Sequence, residues 1–269
     1  MRYQQVMAQF RQPMADQAQI EIPAGWGQGR ALFGGMAGAL ALAHLQQMIP
    51  AGLPLRSLTI SFVAPLEAGA ATAQRRMLRQ GKSALQAQVE ITQQGQTVLV
   101  LLASYGAARP SALQITAPAM SMLADTAYQS MPVSPQVPDF TKHFDYQLCS
   151  GGWPFSASAD PHLQGRLRFK AQDDGDVVCS DVDAPAMLAL VDAWWPVSLS
   201  LLAQPAPASS LTWTLELLPG WQGFHNLDWW PYRAEIEHGA EGYHHIAAKC
   251  WAPNGQLAVI SRQTVTVFA

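Results

Sequence analysis

Charged residues are scarce in this chain, and their scarcity excludes one class of partner. Only 13% of the 269 residues are Asp, Glu, Lys or Arg, and the formal net charge is −3. A protein that binds nucleic acid neutralises phosphates with a basic stripe or patch, which an acidic chain with so few cations does not supply. Nucleic acid is therefore not an expected partner.

Cysteines and long apolar runs are also few. The three cysteines, Cys149, Cys179 and Cys250, are an odd number at wide spacing, so neither a disulfide framework nor a zinc site is expected, and we interpret them as reduced core thiols. The N-terminus lacks the continuous apolar stretch of a signal peptide, and no later run approaches the roughly 18 to 20 residues that span a bilayer. We expect a soluble, cytoplasmic protein without a membrane span.

The residues that are present repeat one pattern in each half of the chain. About half of the residues are hydrophobic, at 49%, which is enough for a large core. In each half an apolar helix precedes a polar-ended strand and then a strand that begins with glycine. The first copy comprises residues 35–48, 57–62 and 95–100, and the second comprises residues 186–202, 210–215 and 255–260. The repeat indicates two copies of one supersecondary unit.

The strands of the first copy have the period of half-buried antiparallel sheet. Leu85, Ala87, Val89 and Ile91 alternate with polar residues, and the breaks between residues 54 and 106 predict a four-stranded meander. In the second copy we expect strands near 165–170, 210–218, 229–237, 243–251 and 256–268. Both helices are apolar around most of their circumference and must be surrounded. The predicted fold is α+β, with two tandem units that each wrap a long central helix in a curled antiparallel sheet.

A Pro-rich stretch separates the two copies. Five prolines with little periodicity between them lie in this stretch: Pro110, Pro118, Pro132, Pro135 and Pro138. We predict an N-terminal unit over 1–108, a linker over 109–140 and a C-terminal unit over 141–269.

Several short motifs are distributed over the two halves of the chain. The first half has Phe33-Gly34-Gly35, the strand 57–62 that ends before Pro65, the segment 78–83, and Gln94-Gly95; the second half has Asp192, the strand 210–217, the segment 227–230, and Asn254-Gly255 followed by Gln263. In this order and spacing they resemble the acyl-CoA thioesterase II family, the TesB-like double-hotdog proteins. The resemblance covers nearly the whole chain outside the linker.

The resemblance implies a fold, a reaction and a site. The fold is a double hotdog with the substrate in a cleft between its two units, and the reaction is the hydrolysis of acyl-CoA to free fatty acid and CoA. An Asp, a Thr or Ser, and a Gln hold and activate the attacking water, and these positions fall on Asp192, on Ser210 or Thr212, and on Gln263. No cofactor is implied, since CoA is part of the substrate, and chains of the family commonly pair as homo-oligomers.

The residues themselves support parts of this assignment. Asp192 lies in an apolar stretch, where a carboxylate is costly unless it has a partner; burial would raise its pKa and suit it to act as a base, although a structural capping Asp is the alternative. Strict alternation puts Gln263 on the inner face of its strand, where its amide could orient a water, while a solvent-facing Gln is the alternative. The matching residue of the first half is Ala103, so we expect one active site per chain.

Phe33, Gly34 and Gly35 are candidates for substrate binding. Glycines at a buried helix start would let a thioester carbonyl approach backbone N–H groups, which stabilise an oxyanion, although close packing also explains them.

The histidines are weaker candidates for the functional site. His44, inside a predicted core helix, is expected to be a satisfied polar group, and His238, His244 and His245 are expected to be solvated turn residues, so no metal is assigned. Two other functions stay open. A hotdog enoyl-CoA hydratase would need a histidine beside Asp192, and a non-catalytic acyl-CoA binding protein would have a decayed site.

Overall fold

The computed structural model describes residues 1–121, 123–132, 137–171 and 180–269. Cys179 therefore lies outside the described residues. Cys250 is a buried free thiol, as expected for a core cysteine, while Cys149 is a free thiol that is only half-buried.

The described residues form four α-helices, fourteen strands and short 3-10 turns. The helices are α1 (Tyr3–Met7), α2 (Gly34–Gln46), α3 (Ala184–Asp192) and α4 (Ser198–Leu201). The strands of the first half are β1 (Gln17–Ile22), β2 (Gly27–Gln28), β3 (Ala31–Leu32), β4 (Leu55–Phe62), β5 (Gly69–Gln80), β6 (Ala84–Gln93) and β7 (Gln96–Gly106). The later strands are β8 (Gln129–Ser130), β9 (Phe144–Ser150), β10 (His162–Phe169), β11 (Ala208–Leu217), β12 (Trp230–Ala240), β13 (Tyr243–Trp251) and β14 (Leu257–Val267).

One antiparallel sheet of twelve strands runs through both halves of the chain. Its order is β1-β5-β6-β7-β4-β11-β14-β13-β12-β10-β9-β8, and β2 and β3 form a separate small hairpin. The halves meet where β4 pairs with β11, with Thr59 opposite Thr214. Strand β8 lies inside the stretch 109–140 and pairs with β9.

The predicted four-stranded meander is correct for β5, β6 and β7 but wrong for β4. Strand β4 pairs with β7 on one side and with β11 on the other, rather than with β5. The connection from β4 to β5 contains Pro65 and is longer than a two-residue hairpin turn, so β5 is free to reach the far edge of the half, where it pairs with β1.

Helix α2 is buried along nearly its whole length. Its residues from Gly35 to Leu45 are all buried, since almost every side chain in it is Gly, Ala, Leu or Met. The helix packs against β5, β6 and β7 and against α3. Within the described ranges, no helix combines the length and apolar character needed to cross a membrane.

The second helix is shorter than the predicted 186–202. Asp183 caps its start, because the Asp183 carboxylate accepts a hydrogen bond of 2.8 Å from the Ala186 N–H. The helix ends at Asp192, and a separate turn, α4, begins at Ser198. Pro196 lies between them, and a proline disfavours helical conformation in the residue before it.

Helices α2 and α3 pack antiparallel and very close together. A Cβ at Gly38 would lie 3.1 Å from Leu188 Cδ2, and a Cβ at Gly35 would lie 2.9 Å from Asp192 Cβ. The absence of side chains on the two glycines permits this approach. As a result, the N-terminal end of α2 meets the C-terminal end of α3.

A buried arginine holds the other end of α2. The Arg75 guanidinium donates to the carbonyl oxygens of His44 and Met14, both at 2.7 Å, to Gln47 Oε1 at 3.2 Å, and to Asp16 Oδ1 at 3.0 Å. Its side chain is only 7% exposed, so these acceptors replace water. Arg75 therefore joins β5, the end of α2 and the N-terminal segment.

We expect Arg75→Met to lower the free energy of unfolding by about 2–4 kcal/mol, because several buried acceptors lose a charged donor. The matched control is Arg76→Met, one residue along β5 on the exposed face, whose guanidinium bonds to Gln88. Chemical denaturation followed by tryptophan fluorescence measures both variants. Equal losses of stability in the two would show that the buried network does not hold α2.

Candidate active site

Asp192 is the last residue of α3, and its carboxylate lies against the first turn of α2. Gln263 Nε2 donates a hydrogen bond to Asp192 Oδ1, and the Gly35 N–H donates to the same carboxylate. A Cβ at Gly34 would lie 2.8 Å from Asp192 Oδ2. Any side chain at Gly34 would therefore displace the carboxylate or the helix.

The surroundings of Asp192 shift its protonation. Burial raises the pKa of Asp192 to about 7, although the hydrogen bonds from Gln263 and the Gly35 N–H act in the opposite direction. The partial positive charge at the start of α2 also favours the ionised form. Near neutral pH the carboxylate can therefore both accept a proton and release it, as a general base must.

Gln263 lies on the inner face of β14, as the alternation predicted. Val259, Ser261 and Val265 on the same face are buried, whereas Arg262 between them is exposed. Gln263 lies opposite Trp213 of β11.

Trp213, the neighbour of Gln263 on β11, is held in place by a hydrogen bond. Its indole N–H donates to Ser261 Oγ at 2.8 Å, and its ring is fully buried. Gln263 thus has a buried, hydrogen-bonded tryptophan as its cross-strand neighbour.

A β-bulge separates the two candidate hydroxyl groups. The register between β11 and β14 shifts between Ser210 and Thr212, so that Ser210 lies opposite Val265 and Thr212 lies opposite Thr264. Because Val265 is buried, Ser210 shares the inner face with Gln263, while Thr212 is exposed on the other face. Neither hydroxyl is hydrogen-bonded to Asp192 or Gln263 among the described residues.

Phe33 covers the first turn of α2 from one side. Its ring stacks on Phe140 with the centroids 4.4 Å apart, and on Trp26 at 6.4 Å. A Cβ at Gly35 would lie 2.5 Å from the Phe33 ring. The Phe33-Gly34-Gly35 sequence therefore brings an aromatic wall and the exposed backbone of the helix start to the same place.

Two tyrosines that the sequence did not identify lie near the carboxylate. The pKa values of Tyr146 and Tyr232 are raised, first by burial and then by the charge of Asp192. The Tyr146 hydroxyl donates to the carbonyl oxygen of Ala193 at 3.1 Å, and Tyr232 stacks on Trp194 at 5.3 Å. The only signal for them in the sequence is their alternation with polar residues on β9 and β12, which is also typical of ordinary core tyrosines.

The histidines lie away from this site. His44 is near the opposite end of α2, where its Nε2 is 3.1 Å from the carbonyl oxygen of Asp16. His238, His244 and His245 lie on the β12–β13 hairpin, and the described residues contain no group of side chains suited to hold a metal ion. None of the described histidines is hydrogen-bonded to Asp192, which a hotdog hydratase would require.

Solved structures with the same fold cover nearly the whole chain. A hot dog fold protein of unknown function from Alicyclobacillus acidocaldarius superposes with a TM-score of 0.81 at 20% identity, over 94% of this chain and 93% of that one. A tesB protein from Mycobacterium avium subsp. paratuberculosis superposes with a TM-score of 0.75 at 12% identity, over 99% of each chain. For the acyl-CoA thioesterase II TesB2 from Mycobacterium marinum, the TM-score is 0.68 at 15% identity, over 98% of each chain. At these identities the likeness shows the hotdog fold alone.

The family models carry the identification further. Comparison with curated proteins gave no match. The model of the acyl-CoA thioesterase N-terminal domain matches residues 22–106, and the model of the acyl-CoA thioesterase C-terminal domain matches residues 117–267. Since the two matches together span most of the sequence, this chain belongs to the acyl-CoA thioesterase family and is an acyl-CoA thioester hydrolase.

Proposed function

We propose that the protein hydrolyses acyl-CoA to free fatty acid and CoA by direct attack of a water molecule that Asp192 activates. The observation that carries this proposal is the hydrogen-bonded Asp192–Gln263 pair at the start of α2, with the pKa of the carboxyl group near 7. In this proposal the chain is a double hotdog, with units over 1–108 and 141–269 joined by a linker over 109–140. Helices α2 and α3 are the two central helices.

The reaction needs one base and one site for negative charge. Ionised Asp192 takes a proton from the water while the water oxygen attacks the thioester carbonyl carbon. The carbonyl oxygen then carries the negative charge of a tetrahedral intermediate. When the intermediate collapses, the carbon–sulfur bond breaks, and the CoA thiolate leaves and takes up the proton held by Asp192. No cofactor enters any of these steps.

The start of α2 supplies the site for negative charge. Because the Gly35 N–H already donates to Asp192, the proposal assigns the oxyanion to the Gly34 N–H and to the positive end of the helix. The close contact of Gly34 with the carboxylate places that N–H group beside the base. The Phe33 ring excludes water from one side.

Gln263 and a hydroxyl group would orient the water. The amide of Gln263 can donate to Asp192 and accept from the water through its oxygen. The bulge in β11 favours Ser210 over Thr212 for the hydroxyl, since only Ser210 faces the side of the sheet that carries Gln263.

Asp192→Asn should lower kcat for acyl-CoA hydrolysis about 100-fold or more, because the amide cannot accept the proton of the water. The variant should still fold. In the parent, the buried carboxyl group has a raised pKa, so its ionisation lowers the free energy of unfolding as pH rises from about 4 to about 7. Asparagine does not ionise, so the variant avoids this loss. A free-thiol release assay over short to long acyl-CoAs measures the rate. Asp139→Asn, an exposed carboxylate that pairs with Lys142, is the control and should leave the rate unchanged. Parental turnover by Asp192→Asn would remove Asp192 from the mechanism.

The value of kcat/KM should rise with pH and level off above about pH 7, because only ionised Asp192 accepts the proton. Gln263→Ala removes a hydrogen-bond donor that favours ionised Asp192. The midpoint of the variant's pH profile should therefore move to higher pH, and its kcat should fall. The control is Gln86→Ala, on the exposed face of β6, with an unchanged profile. A parental midpoint in Gln263→Ala would show that this hydrogen bond does not tune the base.

Ser210→Ala and Thr212→Ala distinguish the two hydroxyl candidates. The loss of one neutral hydrogen bond to the water should lower kcat about tenfold in Ser210→Ala. Thr212→Ala, with its side chain on the other face of β11, should keep the parental rate. The opposite ranking of the two rates would mean that the register at the bulge does not decide the site.

A further inference from the structure

The two central helices are related by an approximate two-fold axis. Counted from the residue that precedes each helix, Phe33 and Asp183, the residues Gly38 and Leu188 occupy the same position, and these two residues contact each other. Equivalent residues of an antiparallel pair touch where a two-fold axis passes between them. The axis therefore relates the Asp192 site, where the start of α2 meets the end of α3, to a second groove, where the end of α2 meets the start of α3.

A cavity of about 470 Å³ lies at that second position. The end of α2 lines it with Ala43, Gln46 and Gln47, and the start of α3 lines it with Pro185 and Ala186. Its volume is within the range of small-molecule sites. Side chains of the two helices therefore leave an open space in the second groove.

The second groove lacks each polar group of the first. When the two helices are aligned on Phe33 and Asp183, Leu42 takes the position of Asp192. When the two last strands are aligned on Gly95 and Gly255, Ala103 takes the position of Gln263. Pro185, which has no N–H to donate, holds the place of Gly35. The carboxylates that line this cavity are Asp181 and Asp183, and Asp183 is engaged in capping α3 through the Ala186 N–H. The second groove therefore lacks the base, the amide and the helix N–H at the positions that supply them in the first.

The N-terminal helix α1 forms the outer wall of the cavity. Tyr3 packs on Phe169 with the ring centroids 5.0 Å apart, and Met7 and Phe10 also line the space. The wall therefore combines these apolar side chains with polar ones, which are Gln4, Arg11, Gln46, Gln47, Ser180, Asp181, Asp183 and Asn226.

An adjoining cavity of about 290 Å³ shares Tyr3, Arg11 and Phe169 with the first. Its described lining carries the cations Arg2, Arg11 and Lys170 and no carboxylate side chain. The two spaces together offer a compartment with an apolar wall at α1 next to a basic compartment.

We infer that the groove beneath α1 is the two-fold counterpart of the hydrolytic groove, kept as a binding site for an acyl chain with an anionic head group that the protein does not cleave. The chain would lie between α1 and the ends of α2 and α3, and the head group would lie beside Arg11 and Lys170. Both acyl-CoA and free fatty acid have this chemistry. The inference rests on the proposed function in one respect, namely that hydrolysis takes place at Asp192 and not in the second groove.

Binding to the full chain tests this site apart from turnover. Isothermal titration with a thioether analogue of octanoyl-CoA, which cannot be hydrolysed, should give two molecules per chain. Ala43→Phe should leave one, because the added ring occupies the cavity, and Arg11→Glu should weaken the second event about fivefold to tenfold by charge reversal. Both variants should keep the parental hydrolysis rate, because they lie outside the Asp192 groove.

The controls separate the possible outcomes. Arg79→Glu, an equally exposed arginine on β5 away from the cavities, should bind two analogues with parental affinities. Octanoate added first should displace only the second analogue if the site accepts free fatty acid, and should displace neither if the CoA head group is required. One analogue per chain in the parent, or a second event that neither Ala43→Phe nor Arg11→Glu weakens, would overturn the inference. Loss of turnover without loss of the second event would instead bear on the hydrolytic site.

Discussion

The contact between the Asp192 carboxylate and the first turn of α2 requires several features of the sequence and the fold. A carboxylate can lie at that depth because the Gly35 N–H, the Gln263 amide and the positive end of a helix offset part of its desolvation. Gly34 and Gly35 must lack side chains for the contact to form, and Gly38 must lack one for the helices to approach. The Ala- and Leu-rich composition of α2 follows from the same need, since the helix is enclosed by its sheet and by α3.

The pKa of the Asp192 carboxyl group is set by opposing effects, of which burial is the larger. Burial alone would hold the proton too tightly for a base at neutral pH, while the two hydrogen bonds alone would make the group strongly acidic and a poor proton acceptor. Their balance leaves the pKa of Asp192 close to the pH at which the group can exchange protons with water. A thioester is already a reactive ester, so the proposed mechanism needs only a weak base and no nucleophilic side chain.

Much of this arrangement was predictable from the sequence, and the failures have physical causes. Period-2 alternation placed Gln263 on an inner face, and apolar composition identified α2 as a buried helix, because both depend on local pattern. The choice between Ser210 and Thr212 depends on a bulge that adds one residue to β11, which alternation cannot reveal. The position of β4 beside β11 depends on long-range pairing, and the nearness of Tyr146 to Asp192 depends on packing between strands and helices that are distant in sequence.

The hydrogen bonds between β4 and β11 make one continuous ladder out of a duplicated sequence. Two lobes joined only by a linker could swing apart and melt separately, but here such a hinge motion would have to break main-chain bonds in the middle of the sheet. Thermal unfolding should therefore be a single cooperative transition despite the internal repeat. For the same reason we expect ligands to enter through rearrangement of side chains and loops, because the continuous ladder resists a hinge motion between the halves.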